Sequence, residues 1–180
     1  MRRYFGTGSL SCGGSEMERL DRKNIRLEGY DYSTPGGYFV TVCTKEKRKL
    51  FWDGTFPVGA DIIRPGPPTL SQVGQIVDRA IREIPDHYPH AKINKYAVMP
   101  NHVHMILILE ENGRIISAPT KSVSTIIGQV KRISSKLAGQ PIWQKGFYDH
   151  VIRDEADHLR IWEYIDTNPG KWQEDCYYIL

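Results

Sequence analysis

The chain has 180 residues, of which 40% are hydrophobic and 25% charged, so we expect one globular domain and exclude a disordered chain. No apolar run is long enough to span a membrane and the N-terminus lacks an apolar signal core, which predicts a cytoplasmic protein without a membrane partner. The cysteines Cys12, Cys43 and Cys176 are odd in number and widely spaced, which argues against a disulfide framework or a cysteine metal knuckle.

The net charge of +3 is unevenly distributed along the chain. Residues 121–153 carry an excess of Lys and Arg, whereas residues 154–180 carry an excess of Asp and Glu. A basic segment of this kind can bind a polyanion such as nucleic acid, although a solvated helix face would have the same composition.

The first part of the chain predicts an arm, a strand and a helix. Residues 1–37 contain a Gly/Ser-rich stretch and end in a Pro-Gly-Gly turn, which predicts a partly flexible N-terminal arm. The β-branched and aromatic residues at 38–44 predict a strand, and the charged residues 45–49 predict a basic turn after it. After a proline-rich loop at 57–68, apolar residues recur at helical spacing until Pro85 ends the predicted helix.

The centre of the chain predicts a β-hairpin. A strand at 93–98 leads through a Met-Pro-Asn turn into an apolar strand at 102–109. Because side chains alternate between the two faces of a strand, His102 and His104 share one face with Ile106. The other face carries Val103, Met105, Leu107 and Leu109. A strand that is apolar on both faces is expected at the centre of a sheet. Two adjacent imidazoles can bind a metal ion, although most such pairs bind nothing.

A second amphipathic helix is predicted between Ser122 or Ser124 and the Gly-Gln-Pro sequence at 139–141. Its inward positions are Val123, Ile126, Ile127, Val130, Ile133 and Leu137. Two short extended segments follow at 142–144 and 148–152. The elements up to this point have the order β-α-β-β-α-β, which is typical of the ferredoxin-like split βαβ fold, an α+β sandwich with an antiparallel sheet.

An extra C-terminal helix is predicted from its cap at Asp154 to about Asn168, where Pro-Gly closes it. The predicted apolar stripe of this helix is Leu159, Ile161, Trp162 and Ile165. Tyr164 and Asn168 lie one turn apart on the flank of that stripe, where a side chain can touch the sheet and still face a cleft. An ordinary edge tyrosine and a helix-terminal asparagine would follow the same pattern.

Three stretches in this order resemble one protein family: the Pro-Asn-His-Val-His sequence at 100–104, residues 143–153 and residues 163–169. They are similar to the REP-associated tyrosine transposases, which are single-tyrosine HUH transposases. The resemblance covers roughly residues 23–172 and implies a ferredoxin-like catalytic domain at 38–172. The segment 173–180 is then a C-terminal tail.

The resemblance also implies an activity, namely the metal-dependent nicking and rejoining of single-stranded DNA through a 5′-phosphotyrosine intermediate. Carried over to this chain, the nucleophile is Tyr164, with Tyr148 as the second candidate. The implied ligands of the metal are His102, His104 and Asn168, and the ion would be Mg²⁺ or Mn²⁺. The implied substrate is single-stranded or hairpin DNA during transposition, and a homodimer is one way to use a single tyrosine twice.

Binding of such DNA would combine phosphate contacts with base stacking. The candidates for phosphate contacts are Lys131, Arg132, Lys145 and Arg153. The candidates for stacking are Trp143, Phe147 and Tyr148, although core packing explains Trp143 at least as well.

Two other functions fit parts of this pattern. A non-cleaving module of the same fold could bind structured DNA or RNA, but it would need neither the histidine pair nor the tyrosine. A hydrolase could use a water molecule as its nucleophile, but it would require more His, Asp or Glu ligands close to His104. Replacement of Tyr164 by Phe separates the three functions, because only a tyrosine nuclease would lose cleavage and keep binding.

Overall fold

The computed structural model describes residues 29–54, 69–111 and 122–179. Most of the predicted N-terminal arm and the proline-rich loop lie outside these residues. The strands are β1 (Gly36–Cys43), β2 (Ala91–Val98), β3 (His102–Leu109) and β4 (Tyr148–Ile152). The helices are α1 (Gln72–Arg82), α2 (Ile84–His87), α3 (Val123–Leu137) and α4 (Glu155–Thr167), with 3-10 turns at Lys45–Lys47 and Asn168–Glu174.

The four strands form one antiparallel sheet in the order β2-β3-β1-β4. This order, together with the connections through α1 and α3, confirms the predicted ferredoxin-like α+β fold. Strand β3 pairs with β1 on one side and β2 on the other, so its predicted central position is also confirmed. In the register of β1 and β3, His104 lies opposite Thr41 and His102 lies opposite Cys43.

Each long helix begins at a side-chain cap. The Ser71 hydroxyl accepts a hydrogen bond from the backbone N–H of Gly74 at 3.0 Å, and Asp154 accepts one from Asp157 at 2.8 Å. Ser122 caps α3 in the same way, and it is therefore the first of the two predicted serines that starts this helix. Such caps contribute about 1 kcal/mol each because they satisfy N–H groups that the helix leaves without partners.

The two faces of the sheet are covered by different helices. On the first, which we call the α1/α3 face, the apolar side chains of β3 pack against Ile81, Val77, Ile126 and Ile127. On the second, the α4 face, Ile106 packs with Ile161, Ile165 and Trp172. Seven of the eight residues of β3 are buried and Ile108, on the α4 face, is half-buried, so the sheet lies between two layers.

Three large apolar side chains that were predicted to point inward are exposed. Leu137 of α3 is 60% exposed, and in α4 Leu159 is 59% and Trp162 38% exposed. The prediction was wrong at these positions because each helix contacts the sheet along a narrower stripe than its apolar residues suggest. The ring of Trp162 lies instead under the ammonium group of Lys95, at 4.0 Å.

The predicted helix stop at Pro85 is only partly correct. Helix α1 ends at Arg82, and Pro85 lies in the first turn of the short helix α2, where a missing N–H costs nothing. Among the residues that the structure describes, no helix has the length and apolar character needed to cross a membrane.

Candidate metal and tyrosine site

The site is centred on the two histidines at the start of β3. His102 and His104 project together from the α4 face, which confirms the prediction that they share one side of the strand. Their side chains are 0% and 1% exposed, and their Nε2 atoms lie 2.9 Å apart. Two imidazole nitrogens therefore converge in a space from which water is largely excluded.

Asn101 determines which nitrogen of His102 carries the proton. The Asn101 Nδ2 group donates to the carbonyl oxygens of Lys47 and Tyr177, at 3.2 and 2.9 Å. These two acceptors orient the amide, so its Oδ1 atom is the one that lies 2.8 Å from Nδ1 of His102. His102 must then donate from Nδ1, which leaves a lone pair on Nε2.

Thr41 contacts the second imidazole from the neighbouring strand. Its hydroxyl lies 2.8 Å from Nδ1 of His104. Because a hydroxyl can donate or accept, Thr41 is compatible with both tautomers of His104. In one of them His104 donates from Nε2 to His102, and in the other both Nε2 lone pairs face the same point. Only the second arrangement leaves both Nε2 lone pairs available to a cation.

The third group at this point is the carboxylate of Asp175. Its Oδ2 atom lies 3.7 Å from Nε2 of His102 and 3.8 Å from Nε2 of His104, and the side chain is fully buried. The carboxylate is held by Asn168, which donates to Oδ2 at 2.6 Å, and by the backbone N–H of Tyr177, which donates to Oδ1 at 2.6 Å. One ligand atom from each of His102, His104 and Asp175 lies within 4.8 Å of the others.

Sequence reasoning missed Asp175, because it lies in the predicted tail. The signal available was the aromatic run around it, which includes Trp172 and Tyr177 and is apolar enough to pack on a sheet. In the structure the ring of Tyr177 lies 4.6 Å from that of His102, so the segment after α4 covers the histidines.

The environment sets the charges of these groups. Burial lowers the pKa of both His102 and His104, and the adjacent imidazole lowers that of His102 further. Although burial by itself raises the pKa of Asp175, hydrogen bonds and the nearby imidazoles lower it to about 2. Near neutral pH the site therefore contains two neutral imidazoles and one carboxylate, which are the protonation states that a metal ion requires.

Tyr164 of α4 reaches the same cluster. Its hydroxyl lies 3.3 Å from Nε2 of His104, and its ring packs edge-on against that of Phe39. Burial raises the pKa of Tyr164, and the charge of Asp175 raises it further. The tyrosine is therefore a neutral phenol in this structure. It lies 60 residues away in sequence from the histidine that it contacts.

Asn168 and Tyr148 occupy different parts of the site. Asn168 is buried at the end of α4, with its amide nitrogen directed to Asp175, and its role as a metal ligand stays a prediction. Tyr148 lies opposite Thr41 in the sheet, with its ring 6.3 Å from that of Phe39. Because paired residues share a face, Tyr148 and Tyr164 lie on the same side of the sheet and contact the same phenylalanine.

The predicted DNA contacts are divided between two ends of the molecule. Trp143 forms a bridge with Thr44, so the loop that carries Trp143 and Lys145 lies at the His102 end of the sheet. The ring of Trp143 packs on Phe51 at 5.2 Å, and Lys145 is exposed. Lys131 donates to two carbonyl oxygens of this loop, at 2.6 and 2.8 Å.

The other two predicted phosphate contacts lie elsewhere. Arg132 is on the outer side of α3, where it contacts Gln129. Arg153 follows Ile152, which pairs with Gly37 at the opposite end of the sheet from His102. The structure therefore places Lys131 and Lys145 near the histidine end and separates Arg153 from it.

Comparisons with known proteins give three relatives. A Haemophilus influenzae protein described as uncharacterized is 32% identical over 177 residues, which cover 88% of this chain and 93% of that protein. A second H. influenzae protein, named provisionally as a REP-associated tyrosine transposase, is 24% identical over 78% of this chain and 74% of its own length. The Escherichia coli REP-associated tyrosine transposase is 29% identical over 97 residues, or 54% of each chain.

A solved structure has the same fold. It is a REP-associated tyrosine transposase bound to a REP hairpin, and it aligns with a TM-score of 0.57 over 83% of this chain and 76% of that one. At 24% identity this likeness establishes the architecture of the chain. No family model matches the sequence.

Proposed function

Because the chain is related to REP-associated tyrosine transposases at 24% and 29% identity, we propose that it belongs to their family and that it nicks and rejoins single-stranded DNA through a 5′-phosphotyrosine link on Tyr164. The observation that carries this proposal is the 3.3 Å distance between the Tyr164 hydroxyl and His104, within a buried His-His-Asp cluster. A module that only binds DNA would need neither the buried cluster nor a hydroxyl beside it.

His102, His104 and Asp175 are the residues that would hold a divalent cation, for which we propose Mn²⁺ or Mg²⁺. Two imidazole nitrogens and one carboxylate oxygen form a mixed donor set that fits such an ion, with Mn²⁺ favoured by the nitrogens. We propose that Asn168 holds the Asp175 carboxylate, to which its amide already donates. A bound divalent cation would offset the negative charge of a phosphodiester and lower the pKa of Tyr164.

The tyrosine then exchanges one phosphoester bond for another. The Tyr164 oxygen forms a bond to phosphorus and loses its proton, and the bond from phosphorus to the 3′ oxygen breaks. The 3′ oxygen leaves as a hydroxyl after it takes up a proton. Because the new phosphotyrosine bond keeps the free energy of the old one, the 3′-OH of another strand can reverse the step without a nucleotide cofactor.

We propose hairpin DNA with an unpaired flank as the substrate, since a solved relative of the same fold is bound to a REP hairpin. Lys145 and Tyr148 are the best supported of the proposed contacts, because both lie toward the His102 end of the sheet. Lys131 would act through the loop that it holds. Trp143 is more consistent with support of that loop than with base stacking, because its ring already packs on Phe51.

Each chain would cut with its own tyrosine, because Tyr164 and both histidines meet within one chain. A mixture of His104→Ala and Tyr164→Phe chains is then expected to form no covalent adduct. Restored adduct in the mixture would instead mean that two chains exchange their helices in a homodimer.

The proposal is tested by covalent capture. The protein is incubated with Mn²⁺ or Mg²⁺ and a labelled single strand that carries a hairpin from its own genomic flank, and the products are separated on a denaturing protein gel. Tyr164→Phe should abolish the labelled protein band because it removes only the nucleophilic oxygen. Tyr148→Phe is the matched control, since it removes the other hydroxyl on the same face of the sheet.

Each result has a separate meaning. Loss of the band in Tyr164→Phe alone supports the proposal, and loss in Tyr148→Phe alone moves the nucleophile to Tyr148. Cleavage that persists in both variants without any protein band would favour a hydrolase. Binding without cleavage, across several hairpins and both metals, would favour the non-cleaving module.

A further inference from the structure

The basic turn that follows β1, defined here as residues 45–49, has no role in the function proposed so far. It contains four cationic side chains and one acid in five residues: Lys45, Glu46, Lys47, Arg48 and Lys49. Lys45, Arg48 and Lys49 are exposed, and the contact between Lys45 and Glu46 is a loose one at 4.0 Å. The turn therefore presents net positive charge to solvent.

Backbone hydrogen bonds hold the basic turn against the histidine site. The N–H of Thr44 donates to the carbonyl of Asn101 and the N–H of Leu50 to that of Pro100, both at 2.8 Å. The carbonyl of Lys47 in turn accepts from the Asn101 side chain, which orients His102. The turn is therefore positioned by the same residue that orients a proposed metal ligand.

The backbone of the turn is unusual for the residues that it contains. Glu46 and Lys47 have φ values of 59° and 52°, in the left-handed region that residues other than glycine rarely occupy. Such conformations persist where the surrounding structure imposes them, and they are concentrated at functional sites.

Aromatic rings alternate with the cations of the turn. The ammonium of Lys47 lies 5.6 Å from the ring of Tyr177, which in turn packs on His102. The ammonium of Lys49 lies 5.4 Å from the ring of Tyr178, which packs on Trp172 at 5.3 Å. Cations contact phosphates and rings stack on bases, so an alternation of the two suits a nucleic acid whose bases are unpaired.

We propose that the basic turn and Tyr178 bind the backbone and bases of a single DNA strand at the His102 end of the sheet. This inference rests on the proposed function in one respect: the strand bound here would be the one that Tyr164 cuts. Binding itself requires neither cleavage nor a metal ion. A duplex would use the cations but not the rings, which is why we commit to a single strand.

The test is a salt titration of DNA binding by the full chain in EDTA, with a labelled single-stranded oligonucleotide. Lys45→Gln/Lys49→Gln removes two exposed charges and leaves the backbone hydrogen bonds of the turn in place. Loss of two phosphate contacts should reduce the slope of log K against log salt by about 1.4 and weaken binding about 25-fold at 0.1 M salt.

The matched control is Arg79→Gln/Lys92→Gln, which changes the net charge equally at exposed residues away from the turn. Arg79 lies on α1, and Lys92 pairs with Ile108 near the opposite end of the sheet from His102. We expect the affinity of this control variant for the single strand to stay within about twofold of that of the wild type. Tyr178→Leu should weaken binding to the single strand more than binding to a duplex of the same sequence.

Several results would overturn the inference. These are unchanged binding in the turn variant, an equal loss in the control, a loss in Tyr178→Leu that is as large on duplex DNA as on the single strand, or no binding by the wild type. The covalent capture assay, run in parallel, separates the two proposals. If the turn variant binds DNA as tightly as the wild type, and the wild-type protein forms the covalent adduct, only this inference is refuted. If the turn variant loses binding, the control variant does not, and the wild-type protein forms no adduct, only the proposed function is refuted.

Discussion

The two faces of strand β3 are both largely buried but chemically opposite. On the α1/α3 face, Met105 and Leu107 are buried in the hydrophobic cluster that the sheet forms with α1 and α3. On the α4 face, His102 and His104 have the same burial, yet every polar atom of their rings has a polar neighbour. Burial alone therefore does not distinguish the structural face from the functional one. The two faces differ in the side chains that contact them, which are mainly apolar on one face and polar around the histidines on the other.

The difference has a thermodynamic reason. Apolar groups stabilise the fold by roughly 25 cal/mol for each Å² removed from water, whereas a buried polar group costs free energy unless it is hydrogen-bonded. The α4 face avoids that cost through Asn101, Thr41 and Asp175, which contact the imidazoles. We therefore expect substitutions on the α1/α3 face to change stability and substitutions on the α4 face to change metal binding.

The largest effect should come from Asp175→Asn on the α4 face. It keeps the shape of the side chain but removes the charge that faces both imidazoles, so the affinity for Mn²⁺ should fall by more than about 100-fold. Isothermal titration of the metal into the full chain measures this loss. Asn168→Ala is the control, and it should lower the affinity for Mn²⁺ by about tenfold. A larger loss in Asn168→Ala than in Asp175→Asn would restore Asn168 as the third ligand.

Leu107→Ala should lower stability and leave metal binding unchanged. Leu107 is fully buried on the α1/α3 face, and removal of its side chain leaves a cavity, so the free energy of unfolding should fall by about 3 kcal/mol. Urea denaturation measures the loss, and the Mn²⁺ affinity of the folded variant should not change. A Leu107 variant that bound metal 100-fold more weakly would show that the two faces are not independent.

Asn101→Ala should have a smaller effect on metal binding. Without the amide, His102 is free to take the other tautomer, so the affinity for Mn²⁺ should fall by about tenfold. In the metal-free protein the ¹⁵N chemical shifts of His102 should change from the Nδ1-protonated to a mixed pattern. Unchanged shifts would mean that Asn101 supports the turn but does not orient the imidazole.

The smallest effect is a dependence of stability on pH. The pKa values of His102 and His104 are lower in the folded protein, so below pH 6.5 the unfolded chain binds more protons and stability falls as pH falls. In metal-free protein a histidine that stays neutral in the folded state costs at most about 1 kcal/mol between pH 6.5 and 5.5. The larger share should come from His102, whose pKa is lowered further than that of His104. His104→Gln should reduce this loss, as measured by urea denaturation at both pH values. An equal loss in the variant would assign the dependence to other histidines.

Much of the fold could be predicted because the spacing of apolar residues along the chain indicates which segments form helices and strands. Period-two alternation put His102 and His104 on one face, and the capping residue Asp154 marked where the last long helix begins. The same local rules failed for Leu159 and Trp162, because the width of a helix contact depends on the surface opposite it.

The sequence by itself determined the order of the elements, the shared face of the two histidines and the helix that carries Tyr164. Only the tertiary structure decided which groups meet them. Asp175 follows the last long helix, yet it lies beside His102 because the chain after α4 folds back over the sheet. Asn101 is adjacent to His102 in sequence, but its amide is oriented by the carbonyls of Lys47 and Tyr177, which come from other parts of the chain. Local patterns report faces and periods, whereas the distance between residues 73 positions apart, as for His102 and Asp175, depends on how the whole chain packs.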